Sequence, residues 1–334
     1  MAASGITVEG LKKTYVIRKR LGWFQSTKEE KVAVEDLNLL LPPGQVTGLL
    51  GLNGAGKTTT IKILSTLLLP TAGRVRVDGL DLVRDAAAVR QRINMIAGGE
   101  RMIYLRLTGR ENLWYFAQLY NVERRGLPEH INRLLKLVEL EDAANIPAER
   151  YSKGMRQRLQ IARGLVNNPA YLFLDEPTLG LDAPIARELR QVIRRLVDEG
   201  KGILLTSHYL AEVEELCSQI YVIDRGRLVA AGSSDELKTL TKVDRVVKVL
   251  LPELVETVQV DLEDFANRTG ANLDMQHTEE GVVVTVRHAE EIAGAVAAIV
   301  LHNSSILKLE VIEPTLEDAL IALTSHKIQT YSSI

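Results

Sequence analysis

Gly51-Leu52-Asn53-Gly54-Ala55-Gly56-Lys57-Thr58-Thr59 lies between the apolar run Val46-Thr47-Gly48-Leu49-Leu50 and the segment Thr60-Ile61-Lys62-Ile63-Leu64. The order is therefore strand, glycine loop, helix, which is the setting in which the pattern G-x-x-x-x-G-K-[ST] carries chemical meaning. Glycines allow backbone N–H groups to turn inward around an anion, and the positive end of the following helix dipole faces the same anion. A lysine at position 57 is placed to reach the β- and γ-phosphates, and the Thr58 hydroxyl to ligate Mg²⁺. Asn53, Gly54, Ala55, Gly56 and Thr59 complete the phosphate cradle. The stretch reads as a P-loop and implies a bound nucleoside triphosphate.

Working outward, Leu172-Phe173-Leu174-Asp175-Glu176 sets two carboxylates at the end of a buried strand. Phosphoryl transfer needs a held metal and an oriented water. Asp175 suits Mg²⁺, directly or through water, and Glu176 suits the water as general base. His208, in Leu205-Thr206-Ser207-His208, ends another strand on the presumed carboxyl edge of the same sheet, where open α/β sheets bind ligands. It is expected to touch the γ-phosphate and polarise the attacking water. Asp182, in Leu179-Gly180-Leu181-Asp182, or Ala183 stands near the cap of a helix with Pro184 in its first turn; capping by Asp182 is compatible with a functional role. Strands alternating with helices predict a mostly parallel sheet covered on both faces.

The order of these motifs resembles that of the ATP-binding-cassette (ABC) ATPases, the motor subunits of ABC transporters. The signature loop of that family, usually L-S-G-G-Q, is similar to Tyr151-Ser152-Lys153-Gly154-Met155-Arg156-Gln157-Arg158. Tyr15 matches the aromatic that stacks on adenine. The resemblance covers roughly residues 6–232. It implies ATP and Mg²⁺ as ligands and a head-to-tail dimer, with itself or a relative, in which Ser152 and Gly154 of one copy close the P-loop of the other. Lys57 and His208 join Glu176 as the expected catalytic set, with Tyr15 and Asp182 beside the nucleotide. It further implies an integral membrane permease as partner and a peripheral place on the cytoplasmic face of the membrane. The form Tyr-Ser-x-Gly-Met-Arg and the segment Glu313-Pro314-Thr315-Leu316-Glu317-Asp318 resemble the branch that exports drugs, lipids, ions or polysaccharides. A degenerate, purely regulatory cassette is disfavoured by Glu176 and His208. A DNA-acting relative is disfavoured because the span from Lys57 to Ser152 holds one helical subdomain and no long coiled coil.

Two positions depart from the pattern. No glutamine occurs in Ile96-Ala97-Gly98-Gly99-Glu100, where the family has one, and Glu100 is a candidate replacement. Lys153 replaces the first glycine of the signature; it is expected to face solvent, the alternative being added positive charge near phosphate. The stretch Arg18-Lys19-Arg20-Leu21-Gly22-Trp23-Phe24 reads as a solvated β-hairpin extension, with contact to lipid headgroups or the permease as the sharper alternative.

The chain has 334 residues, 46% apolar and 25% charged, as in an ordinary globular protein of two domains. A net charge of −2 gives no electrostatic argument for nucleic acid. The single cysteine, Cys217, excludes an internal disulfide framework. No apolar run approaches the ~20 residues of a membrane span, and Met1-Ala2-Ala3-Ser4-Gly5 lacks the features of a signal peptide. The expected architecture is an α/β P-loop NTPase core of ABC type over residues 1–235, with a helical subdomain at about 100–160. An α+β ferredoxin-like domain over 243–325 is expected to follow, because the pattern there reads β-α-β-β-α-β.

Overall fold

The structure is a computed structural model that describes residues 4–20, 26–97, 103–241 and 243–324. The chain divides into two compact units, Met1–Ser234 and Asp235–Ile334.

In the first unit, β1 (Ile6–Arg20) and β2 (Ser26–Leu41) form a long antiparallel hairpin, followed by β3 (Val46–Leu50), the glycine loop and α1 (Lys57–Leu64). Next come β4 (Ala72–Val77), β5 (Leu80–Asp81), α2 (Ala86–Arg92) and β6 (Ile93–Ala97). The helical stretch is α3 (Gly109–Leu119), α4 (Leu127–Leu137) and α5 (Lys153–Gly164). The unit ends with β7 (Tyr171–Asp175), α6 (Ala183–Asp198), β8 (Gly202–Thr206), α7 (Leu210–Leu216), β9 (Gln219–Asp224) and β10 (Arg227–Gly232).

Six strands make one sheet in the order β10-β9-β3-β8-β7-β6. From β9 to β6 every neighbouring pair is parallel; β10 alone is antiparallel. β3 and β8 are buried at every residue, as interior parallel strands must be when both faces are covered. Side chains alternate between the two faces. Leu172, Leu174, Ile203 and Leu205 enter a core shared with α3 to α6, while Tyr171, Phe173 and Leu204 enter a second core with α1, β1 and β2.

The sequence pattern predicts one mostly parallel sheet. The structure adds a separate antiparallel sheet, β2-β1-β4-β5. Period-two alternation identifies these strands but says nothing about which partners they take. β1 and β2 stay paired out to Arg20 opposite Ser26, so the basic segment begins as a hairpin extension. Its tip, with Trp23 and Phe24, lies outside the described residues.

α8 (Ser234–Leu240) leads into the second unit, built from β11 (Arg245–Leu251), α9 (Glu256–Thr269), β12 (Asn272–Thr278), β13 (Gly281–His288), α10 (Ala293–Asn303), β14 (Lys308–Ile312) and α11 (Leu316–Thr324). Its antiparallel sheet runs β12-β13-β11-β14. Val247, Val249, Leu251, Val282, Val284 and Val286 turn one face onto Val258, Leu262, Val296 and Val300 of the two helices. α11 starts on a reciprocal cap in which Thr315 N donates to Asp318 and Asp318 N to Thr315 Oγ1. No described helix of the chain is long and apolar enough to cross a membrane.

Candidate nucleotide site

β3, β8 and β7 are adjacent and parallel, so the loops after them emerge together at the carboxyl edge of the sheet. These loops carry, respectively, the glycine loop, His208, and Asp175-Glu176. Strand order thus gathers three motifs that are far apart in the chain.

The glycine loop is held on both sides. Gly226 N donates to Ala55 O at 2.9 Å, and Gly226 O accepts from Glu35 N at 2.7 Å. Gly51 and Gly56 have φ of 153° and 109°. A Cβ at Gly51 would collide with Ile223 O, and one at Gly56 would lie 2.5 Å from Ala33 O, so both positions require glycine. Gly56 also begins α1 with no side-chain cap, which leaves the first-turn N–H groups facing the loop. Lys57, only 8% exposed, lies across the loop and donates from Nζ to Gly51 O at 2.6 Å and Leu52 O at 3.3 Å. Burial lowers its pKa, opposed by the nearby charges of Glu176 and Asp175.

A cavity of about 370 Å³ opens over this loop. Asn53 through Thr59 form its floor, Glu176 one side, and Tyr15, Ile17, Val32 and Ala33 of the hairpin another. The ring of Tyr15 carries the Lys13 ammonium 5.5 Å from its centroid. An anionic head over backbone N–H groups beside an aromatic wall fits a nucleotide.

Asp175 Oδ1 accepts from Thr206 Oγ1 at 2.6 Å. Glu176 has a left-handed φ of 55°, an uncommon conformation for a side-chain-bearing residue that clusters at functional sites. Its N–H donates to Thr206 O at 3.0 Å, tying β7 to β8 at the point where the carboxylates emerge. His208 Nε2 sits 2.8 Å from Glu176 Oε1. The sequence pattern leads one to expect this imidazole at phosphate; here its Nε2 lies against the carboxylate, and it is not among the residues lining the cavity.

Ser152, Gly154 and Asp182 are not brought to this cavity either. Ser152 caps α5, its Oγ accepting from Met155 N at 3.2 Å. Gly154 is buried against Ile185, whose Cδ1 would collide with a Cβ there. Asp182 caps α6 by accepting from Ile185 N at 3.3 Å. Lys153, expected in solvent, is exposed but folds back: Nζ donates to Gly180 O at 2.6 Å, in a place where a Cβ on residue 180 would collide with the ammonium. Residues 98–102, with Glu100, are outside the described residues. Cys217 follows α7 and packs on Gly48; burial, then the charge of Glu212, pushes its thiol pKa up, which disfavours the nucleophilic thiolate.

A residue that no sequence motif marks also stands here. Glu212, 1% exposed, accepts at one oxygen from both Thr178 Oγ1 (2.8 Å) and Ser207 Oγ (2.7 Å). An acid in the first turn of a short helix gives no signal of burial in a sequence, since most such acids are solvated.

A phosphate cradle facing a strand-end carboxylate across a nucleotide-sized cavity defines a P-loop nucleoside triphosphatase. Residues 34–179 match the family model described as ABC transporter. Daunorubicin resistance ATP-binding protein DrrA3 of Streptomyces coeruleorubidus is 38% identical over 324 residues, 97% of each chain. Nod factor export ATP-binding protein I of Ralstonia nicotianae is 32% identical over 327 residues, 97% of this chain and 95% of that one. A solved ATP-binding subunit of an ABC transporter superposes with a TM-score of 0.59 at 28% identity, covering 71% of this chain and 93% of its own. The chain belongs to the ABC transporter family, as an ATP-binding subunit that hydrolyses ATP.

Proposed function

We propose that ATP binds in the cavity over the glycine loop and is hydrolysed there by Glu176 and His208 once a second copy of the chain supplies Ser152 and Gly154. The observation that supports this most is the division of the site: Glu176 and the glycine loop share a cavity, while Ser152 and Gly154 do not line it. Tyr15 stacks on the base. The N–H groups of Gly54 through Thr59 hold the phosphates, and Lys57 Nζ exchanges its two carbonyl partners for phosphate oxygens. The hard oxygen donors Thr58 Oγ1 and Asp175 suit Mg²⁺, and among the described residues no cluster of three or more His, Cys, Asp or Glu offers a different metal site. When bound, that ion would neutralise charge on the phosphates.

In the reaction, the water oxygen bonds to the γ-phosphorus as the bond to the β–γ bridging oxygen breaks. Glu176 takes the proton of the water. His208 holds Glu176 Oε1, which leaves the other carboxylate oxygen to accept the proton and fixes the plane of the group. The Ser152 hydroxyl and the N–H groups at the start of α5 add donors from the other copy; one such preorganised donor is worth ~3–4 kcal/mol in the transition state, so closure gates turnover. Asp182, at the start of α6, lies on the same closing surface.

The reading extends to transport. Relatives named for drug resistance and for Nod factor export support an exporter that works with a membrane permease, held at the cytoplasmic face of the membrane by that partner. Residues 1–235 then form the ATP-binding domain, and 243–325 an accessory domain of ferredoxin-like type. The order β12-β13-β11-β14, with both helices on one face, supports that last assignment. Replacing the base by Glu176→Gln tests the mechanism. The expected result is a fall in phosphate release of about 10²-fold or more, with ATP retained and a dimer that persists on gel filtration. Near-normal turnover removes Glu176 as the base.

A further inference from the structure

The loop after β7 and the loop after β8 carry the two groups read above as the reactive pair, and each is short and irregular. Glu176 is in a left-handed conformation, and His208 is exposed on its outer side. The 2.8 Å approach of Nε2 to Oε1 therefore needs something beneath it to fix the two loops against each other. Thr178 stands two residues beyond Glu176, and Ser207 immediately precedes His208. Both are buried, at 2% and 5% exposure, and both hydroxyls point at one oxygen of Glu212. Ser207 Oγ in turn accepts from Tyr209 N at 3.0 Å, so the residues on both sides of His208 are fixed. The connections close a ring: Glu176 to Thr178 along the chain, Thr178 to Glu212 to Ser207 by hydrogen bonds, Ser207 to His208 along the chain, and His208 back to Glu176.

We propose that Glu212 is a positioning residue for ATP hydrolysis, a buried clamp that sets the distance between Glu176 and His208. A carboxylate is expensive to bury unless it receives hydrogen bonds. Here its Oε1 has no hydrogen-bond partner among the described residues, and that burial cost goes without full compensation. An apolar residue on α7 would avoid that cost but leave the buried Thr178 and Ser207 hydroxyls without this acceptor. What an acid adds is one oxygen that accepts two hydroxyls from two different loops at once. Misplacing reacting groups by about 1 Å costs on the order of 10²-fold in rate, which sets the size of effect expected.

The inference rests on the reading of Glu176 and His208 as the reactive pair, and the experiment separates the two. Phosphate release and nucleotide affinity are measured on the full chain carrying Glu212→Ala, Glu212→Gln, Thr178→Val, Ser207→Ala and the double variant Glu212→Ala/Thr178→Val, with Glu176→Gln alongside. Expected are a fall in kcat of about 10²-fold for Glu212→Ala and about tenfold for each hydroxyl deletion, with KM for ATP changed less than about twofold. Glu212→Gln keeps an oxygen that can accept both hydroxyls and restores kcat to within about threefold. The double variant is no slower than Glu212→Ala, because Thr178 acts only through Glu212. Should Glu212→Ala fail to fold, the two hydroxyl deletions decide. Unchanged kcat in those deletions, a loss confined to nucleotide affinity, or full additivity in the double variant overturns the proposal. If Glu176→Gln itself turns over normally, it is the reading of the reactive pair that fails.

Discussion

The glycine-loop half and the signature-loop half of this molecule are built on opposite terms. Around the glycine loop, polar groups are held in positions that serve the fold poorly. Gly51 and Gly56 hold backbone angles that only glycine adopts freely and are tightly enclosed, and Lys57 is buried on two carbonyls. Glu176 is left-handed, and Glu212 is buried with one oxygen unpaired among the described residues. Around the signature loop four residues serve their own neighbourhood. Ser152 and Asp182 cap helices, Gly154 makes room for Ile185, and Lys153 bonds Gly180. Strain without local purpose marks a place where a ligand will be met. Ser152, Gly154 and Asp182, whose roles are already met locally, can contribute to a nucleotide site only by presenting their surface to something else.

The strongest test of this division is to disable each half in a different chain. Lys57→Ala and Ser152→Ala are each expected to lower ATP hydrolysis by at least about 10²-fold. In a head-to-tail dimer of one chain of each kind, one site pairs an intact glycine loop with an intact signature and the other loses both. Random mixing makes half the dimers mixed, so about a quarter of wild-type activity should return. If mixing restores nothing, the two halves act within one chain. Ser152→Ala also removes a helix cap and should cost about 1 kcal/mol of stability, read from urea melts, whereas its effect on ATP binding by the isolated chain should be negligible.

Gly154→Ala comes next in size. Its Cβ would collide with Ile185 Cδ1, and overpacking of this kind costs about 1–3 kcal/mol. Trimming the neighbour in Gly154→Ala/Ile185→Val should recover most of the lost stability. Recovery of stability without recovery of turnover would show that the backbone at 154, rather than its packing, faces the other copy.

What could be read from the chain follows the same divide. The glycine loop, Asp175-Glu176 and His208 are legible because each follows a buried strand, and parallel order brings strand ends together. The helix start at Asp182 is legible from Pro184 in the first turn, whereas the cap made by Ser152 comes from the structure. Glu212 is not, because burial of an acid depends on the tertiary meeting of two loops that share no sequence signal. Nor is the β2-β1-β4-β5 sheet, since alternation in Gly73 to Gly79 fits any half-buried strand. The pairing of His208 with Glu176 is hidden for a similar reason: a strand-end position says where a side chain starts, not which neighbour it takes.

Tyr171 supports the first half from below. It opens the strand that ends in the carboxylates, and its hydroxyl donates to Asp78 Oδ1 at 2.6 Å, joining β7 to the turn after β4. Burial, with the hydrogen bond and charge of Asp78, pushes its pKa from 10.0 up to about 12. The protonated phenol is thus favoured by the fold. The stability it contributes is complete below pH 10 and drains away as pH rises through 12, because the unfolded chain releases its proton first. Tyr171→Phe should lose about 1 kcal/mol at pH 8, and its urea midpoint should fall less than that of wild type between pH 10 and 12. ATP turnover at neutral pH should stay within about twofold.

The smallest expected effect decides to which half Lys153 belongs. Its ammonium donates to Gly180 O from an exposed position, and a bond of that kind is worth about 0.5–1 kcal/mol. Lys153→Met keeps most of the side-chain stem and removes the charge. If Lys153 serves α5 alone, as its neighbours on the signature loop do, the variant should lose no more than that stability. The KM for ATP and kcat should then both stay within about threefold, and hydrolysis should keep the salt dependence of the wild type. A lysine that instead leaves Gly180 to meet phosphate on the other copy would act as an added charge-assisted donor, worth about 1.5–3 kcal/mol. Its loss would then slow turnover by roughly tenfold or more, and chiefly at low salt, where the contribution of the missing charge is least screened. Such a result would give the signature half a residue of the same kind as Lys57, one held on carbonyls until an anion arrives, and the contrast between the two halves would no longer hold at that position.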